Sequence, residues 1–238
     1  MNTIPTPMPD INLDSLWDHV AVPRPLRAIT LAWILSTRNG IQAPILLLAG
    51  GPHSGKTATI TRLNELVSGA KVLRGVPERW WQLMEVFAGH EGAVAFDDVQ
   101  PLSEARRAQL VQMMRGVRLE RPSDGRRATI RANIMLAGEQ FFGASQGAFS
   151  DGMSTMLVLL VGSDKRTRDE HWQRELPGIL WSLIELDARV ATLGTSREVD
   201  IHPDLVPMIG FCQVLDAVDE ILGTHGLDFY HMTGLAKW

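Results

Sequence analysis

The sequence predicts an α/β fold, an open and mainly parallel sheet with helices on both faces. Three observations carry that expectation. Short apolar runs at 45–49, 93–96, 132–137 and 155–161 alternate with helical stretches, as in chained strand–helix–strand units. The first run leads directly into Gly50-Gly-Pro-His-Ser-Gly-Lys-Thr57. The second ends in two carboxylates, Asp97 and Asp98.

The Gly50–Thr57 pattern is G-x-x-x-x-G-K-T, and its chemistry is that of a phosphate cradle. Gly50, Gly51 and Gly55 let the backbone N–H groups curl around an anion, with Pro52, His53 and Ser54 completing the loop. His53 needs no role beyond filling that loop. Lys56 supplies a cation that can reach the β- and γ-phosphates of a nucleotide, and the Thr57 hydroxyl can ligate Mg²⁺. Ala58 to Val67 has helical spacing, so the positive end of a helix points at the anion. Gly51 to Ala58 are therefore the expected nucleotide-binding residues, with ATP and Mg²⁺ as the expected ligands. A buried strand that presents Asp97 beside this loop could hold the metal's water shell. Asp98 could orient or deprotonate an attacking water.

The remaining elements follow in order. Residues 1–10 carry three prolines and read as an unstructured lead-in. Helices are expected around Leu13–Val20 and from Pro25 to about Thr37, closed by Asn39-Gly40. A short strand is expected at Lys71–Arg74, then a helix from Pro77, in which Trp80 and Trp81 read as core residues rather than base-stacking rings. Ser103 caps a helix running to about Met114. Residues 117–121 and 127–131 flank an Asp-Gly turn and read as a hairpin. From about Thr167 the chain is expected to be helical, with a break at Pro177-Gly178. The division expected is 1–42 as lead-in and helices, 43–165 as the nucleotide-binding core, and 166–238 as a helical lid or bundle.

Composition bounds the function. Apolar content of 45% and charge of 21% are those of an ordinary globular chain. The apolar runs are too short to span a bilayer and no secretory signal is visible at the N-terminus, so no membrane partner is expected. Cys212 is the sole cysteine, which excludes an intramolecular disulfide and fits a reducing cytoplasm. The seven histidines show no Cys/His spacing of the kind a structural zinc site uses. A net charge of −4 gives no global attraction to nucleic acid. Locally the balance inverts, because residues 106–131 hold eight arginines and no lysine against Glu120 and Asp124. Guanidinium is suited to forked phosphate contacts, so the hairpin is a candidate DNA contact through Arg118, Arg121, Arg126 and Arg127.

In this order, phosphate loop, double-aspartate strand, basic hairpin and a strand with a polar tip, the chain resembles superfamily 3-type helicases of the AAA+ class of P-loop NTPases. More closely, it resembles the ATPase domain of phage- and plasmid-encoded primase–helicases. The likeness runs from about Leu26 to Leu235. It rests on Leu26–Trp33, Gly50–Thr57, Ala95-Phe-Asp-Asp-Val, Met135-Leu-Ala-Gly-Glu, Lys165-Arg-Thr-Arg-Asp-Glu-His-Trp, Pro177-Gly-Ile-Leu-Trp, and Met208-Ile-Gly-Phe with Ala217-Val218. The resemblance implies a homo-oligomeric ATPase, with a hexameric ring as one form, that moves along single-stranded or forked DNA, with a separate primase or initiator as partner. It implies Glu139 or Gln140 at the sensor position after the third strand, where relatives often carry Asn or Thr. It also implies an arginine acting on a neighbouring subunit's ATP. Relatives place that arginine just before the strand at 155–161, where this chain reads Ser150-Asp-Gly-Met-Ser-Thr, which leaves Arg121, Arg166 and Arg168 as candidates. An ATP-switched loader or scaffold with weak turnover is the alternative to the motor.

Overall fold

The computed structural model describes residues 11–69, 72–78, 92–120, 127–139, 155–159, 169–194, 198–201 and 203–235, with Gln82, Val86, Phe87 and Gly125. Its centre is a five-stranded, fully parallel sheet. The strands are β1 (Ile45–Ala49), β2 (Leu73–Arg74), β3 (Ala93–Asp97), β6 (Asn133–Gly138) and β7 (Thr155–Leu159), in the spatial order β2-β3-β6-β1-β7. Between β3 and β6 the chain forms a separate antiparallel pair, β4 (Val117–Glu120) with β5 (Arg127–Ile130). That pair is the expected hairpin.

Burial on both faces explains why the sheet strands read as unbroken apolar runs rather than alternating ones. Every residue of β1 and β6 is buried, and so are the first four of β3. Asn133 opens β6 as a buried polar residue and is fully engaged. Its Oδ1 accepts from Ala43 N–H at 2.9 Å, and its Nδ2 donates to Thr37 Oγ1 at 3.1 Å and to the Ile41 carbonyl at 2.9 Å. The chain entering β1 is thereby stitched to the base of β6. Trp33 completes the join by donating Nε1–H to the Pro44 carbonyl at 2.8 Å.

The helices are α1 (Asp14–His19), α2 (Arg27–Arg38), α3 (Lys56–Val67), α4 (Glu104–Arg115), α5 (Asp169–Leu193), α6 (Ile209–Leu222) and α7 (Gly226–Leu235). Ser103 caps α4 by accepting from Arg106 N–H, and Gly116 ends it at φ +94°. The C-terminal helices α6 and α7 pack on α2, so the two ends of the chain share one hydrophobic core that includes Trp33, Phe211 and Tyr230. No described helix is long and apolar enough to cross a membrane.

One expectation is corrected. Helix α5 does not break at Pro177-Gly178 but runs on for 25 residues with Pro177 inside it. A proline there removes one helical hydrogen bond and crowds the preceding turn, at a cost of about 3 kcal/mol. Packing on both sides of the lesion offsets it. Trp172 Nε1–H donates to Glu65 Oε2 at 2.7 Å before the proline, and Ile179, Leu183 and Leu186 are fully buried after it. Pro177 and Gly178 are themselves exposed, where water can satisfy the freed carbonyl.

Candidate functional site

Because all five strands run the same way, their C-terminal ends form one edge, the edge at which parallel α/β sheets bind ligands. Here that edge carries the loop after β1, Asp97 and Asp98 at the end of β3, and Gly138 and Glu139 at the end of β6. An open cleft of about 940 Å³ lies along it. Its lining includes Pro52, His53, Lys56, Thr57, Asp97, Asp98 and Glu139. Thus Lys56, Thr57, Asp97, Asp98 and Glu139, chosen from the sequence, are brought together.

The loop geometry follows from its residues. Gly55 sits at φ +86° as the residue before α3, a left-handed conformation that a side chain would strain. Lys56 and Thr57 then occupy the first turn of α3, with Ala58 next and exposed. The two described non-glycine residues at positive φ are His53 at 61° and Asp98 at 55°, and both line the cleft. His and Asp tolerate that region better than most residues, and such strain gathers at ligand sites.

The charged groups of the cleft are held by light ties. Lys56 Nζ donates to the carbonyls of Gly50 and Gly51 at 2.7 Å each, so the ammonium folds back over its own loop. Ser54 Oγ is buried with no hydrogen-bond partner among the described residues. An ammonium resting on carbonyls and an orphaned hydroxyl in a loop of N–H groups fit an incoming polyphosphate. Thr57 and Asp97 offer the hard oxygen ligands that Mg²⁺ takes.

Arg74, which no sequence pattern places in the site, also lines the cleft. Its register neighbour on β3 is Asp97, and its Nε and Nη2 both donate to Asp98 Oδ2 at 3.2 Å. The pair is 87% and 53% exposed, so it can open at little cost. The Asp98 turn is fixed by backbone bonds on either side, from Gly75 N–H to the Asp97 carbonyl and from Val99 N–H to the Ala137 carbonyl. Nothing in the Lys71–Arg74 stretch marks Arg74 as a site residue, because only the strand pairing sets it beside Asp97.

Of the proposed DNA-contacting arginines, Arg118 is exposed on β4, and Arg127 opposes Glu120 in the β4–β5 register. Arg121 and Arg126 lie outside the described residues, as do Gln140, Arg166, Arg168, Trp80 and Trp81.

No protein-family model and no curated protein matches the chain. Among solved structures it is similar to RuvB of Thermotoga maritima, with a TM-score of 0.41 and 13% identity over 89% of this chain and 85% of that one. It is also similar to NtrX of Brucella abortus in complex with ATP, with a TM-score of 0.38 and 13% identity over 94% and 71% of the two chains. The same figures hold for NtrX in complex with ADP. These likenesses are distant. The fold class rests on the chain's own sheet: parallel, flanked by helices, with the phosphate loop between β1 and α3.

Proposed function

We propose that this chain is an Mg²⁺-dependent ATPase, and more specifically an oligomeric AAA+-type motor acting on single-stranded or forked DNA. The observation that carries the ATPase reading is the meeting of Lys56, Thr57, Asp97, Asp98 and Glu139 at one sheet edge. In this reading Lys56 leaves the loop carbonyls to neutralise phosphate charge, and the Gly51–Ala58 backbone donates to the phosphate oxygens. Thr57 and Asp97 hold the cation, which supplies charge neutralisation at the leaving oxygens. Asp98 takes the proton of the attacking water, and Glu139 offers a second polar contact to that water. Positioning and electrostatics suffice for phosphoryl transfer, with no covalent intermediate.

The DNA reading is supported by the arginine-rich β4–β5 pair, whose Arg118 is solvent-exposed. Replication of a phage or plasmid, with a primase or initiator as partner, is the setting that the family resemblance implies. A second reading, an ATP-switched loader with weak turnover, is favoured by the Arg74–Asp98 pair. That ion pair engages the carboxylate meant for water, and Arg74 is the one arginine among the described lining residues.

Steady-state ATP hydrolysis with and without single-stranded DNA at low salt separates the two. The motor predicts strong stimulation by DNA. Bound ATP with no stimulation supports the loader. For the hairpin, Arg126→Ala with Arg127→Ala is expected to weaken DNA binding and to lower the slope of log affinity against log salt by about two. Unchanged DNA affinity contradicts the hairpin contact.

A further inference from the structure

Away from the cleft, α1 meets α5 through a cluster that sequence spacing hides. His19 ends α1 and its side chain is fully buried; His171 and Glu175 lie four residues apart on α5. Glu175 uses both carboxylate oxygens on the two rings. His19 Nε2 stands 2.8 Å from Oε2, and His171 Nε2 stands 3.1 Å from Oε1. The imidazole centroids are 5.4 Å apart. Among the described residues this is the one place where three such side chains offer ligand atoms within 4.8 Å of one another.

The geometry points to a divalent transition-metal site, of the Zn²⁺ class, formed by His19, His171 and Glu175. Two imidazole nitrogens and one carboxylate oxygen are a known three-ligand zinc set, with a fourth position left for water. Bonds of about 2.0–2.1 Å in a tetrahedron place neighbouring ligand atoms about 3.4 Å apart. The two carboxylate–imidazole contacts, at 2.8 and 3.1 Å, therefore need to widen by about 0.3–0.6 Å, and the two imidazole nitrogens, which lie within 4.8 Å of each other, need to settle at the same spacing. His171 is 48% exposed, so the cluster has an open side for the ion to enter and for the water to sit. On the closed side Trp172 stands edge-on to His19 at 5.2 Å, which limits ring movement. His19 Nδ1 is buried with no hydrogen-bond partner among the described residues.

Loading would tie α1 to α5 at a point that bears on the phosphate-loop helix. The His19 carbonyl accepts from Arg62 of α3, and Ala21 N–H donates to Thr59 Oγ1, also on α3. The ion would thus steady the segment that borders the start of α3, independently of nucleotide.

The test is titration of the metal-free full-length chain with Co²⁺, read by its visible ligand-field absorption, followed by displacement with Zn²⁺. One ion per chain with a tetrahedral spectrum is expected, and Zn²⁺ should raise the thermal midpoint. Because His19 is buried, its replacement is not the variant of choice. His171→Ala and Glu175→Gln are expected to weaken binding by about tenfold or more and to abolish the thermal shift. His225→Ala, on an exposed side chain elsewhere, should change neither. No saturable binding, or binding unmoved by His171→Ala and Glu175→Gln, overturns the site.

Discussion

The cleft at the sheet edge and the seam between α1, α3 and α5 are both rich in polar groups, yet they hold them in opposite ways. In the cleft the ammonium of Lys56 rests on two loop carbonyls and the Arg74–Asp98 pair stands in solvent. In the seam Arg62 is almost wholly buried, with one N–H on the His19 carbonyl and its guanidinium over the Trp172 ring at 5.7 Å. Glu65 accepts from both Trp172 and Gln173. Burial pushes the Arg62 guanidinium down from its ordinary pKa, while Asp169 and Glu65 act to raise it. A polar group left in water with weak ties can be redirected to a ligand. One taken out of water must be paired, and it then holds the fold. The contrast predicts that changes in the cleft cost chemistry and changes in the seam cost stability.

The largest expected effect is on chemistry. Asp98→Asn keeps the shape of the side chain and removes its basicity, so ATP turnover should fall by roughly 10²–10⁴-fold with the thermal midpoint unchanged. A variant that unfolds instead would break the contrast, because it would make Asp98 structural. In the seam, Arg62→Met should leave nucleotide affinity nearly intact while lowering stability by about 2–3 kcal/mol, since the His19 carbonyl loses a buried donor. Urea unfolding measures that loss.

A smaller effect sharpens the account of α5. Pro177→Ala restores a helical N–H in an exposed stretch, so it should raise stability by about 1–2 kcal/mol, less than the full helix penalty because proline also stiffens the unfolded chain. A loss of stability would show that the proline itself is needed there.

The smallest effect concerns Cys212 in α6, whose thiol burial pushes up to about 12 from an ordinary 9.0. Between those values the unfolded chain releases the proton and the folded chain keeps it. This contribution is therefore present below pH 9 and is lost as pH rises towards 12. At neutral pH a thiol reagent should label Cys212 only as fast as the protein opens. Rapid labelling of the native protein contradicts that burial.

What could be read from the chain divides along the same line. Gly50–Thr57 and Asp97-Asp98 are legible because each is local: consecutive residues make the loop, and an apolar run ending in acids makes the strand. Their meeting follows from the parallel sheet alone. Arg74 is illegible because its place depends on pairing with β3, a long-range register no local pattern encodes. The cluster of His19, His171 and Glu175 is more hidden still, its two histidines lying 152 positions apart in the chain. The continuity of α5 through Pro177 is illegible for the same reason, since the packing that outweighs the proline comes from α3 and the core.

The central claim is that the cleft is an ATP site, and equilibrium binding of Mg²⁺-ATP to the wild type and to Lys56→Ala tests it most directly, with unfolding curves run in parallel. The account predicts saturable one-to-one binding by the wild type, at least tenfold weaker binding or abolished hydrolysis in the variant, and superimposable unfolding curves. Equal binding and hydrolysis by Lys56→Ala would contradict it.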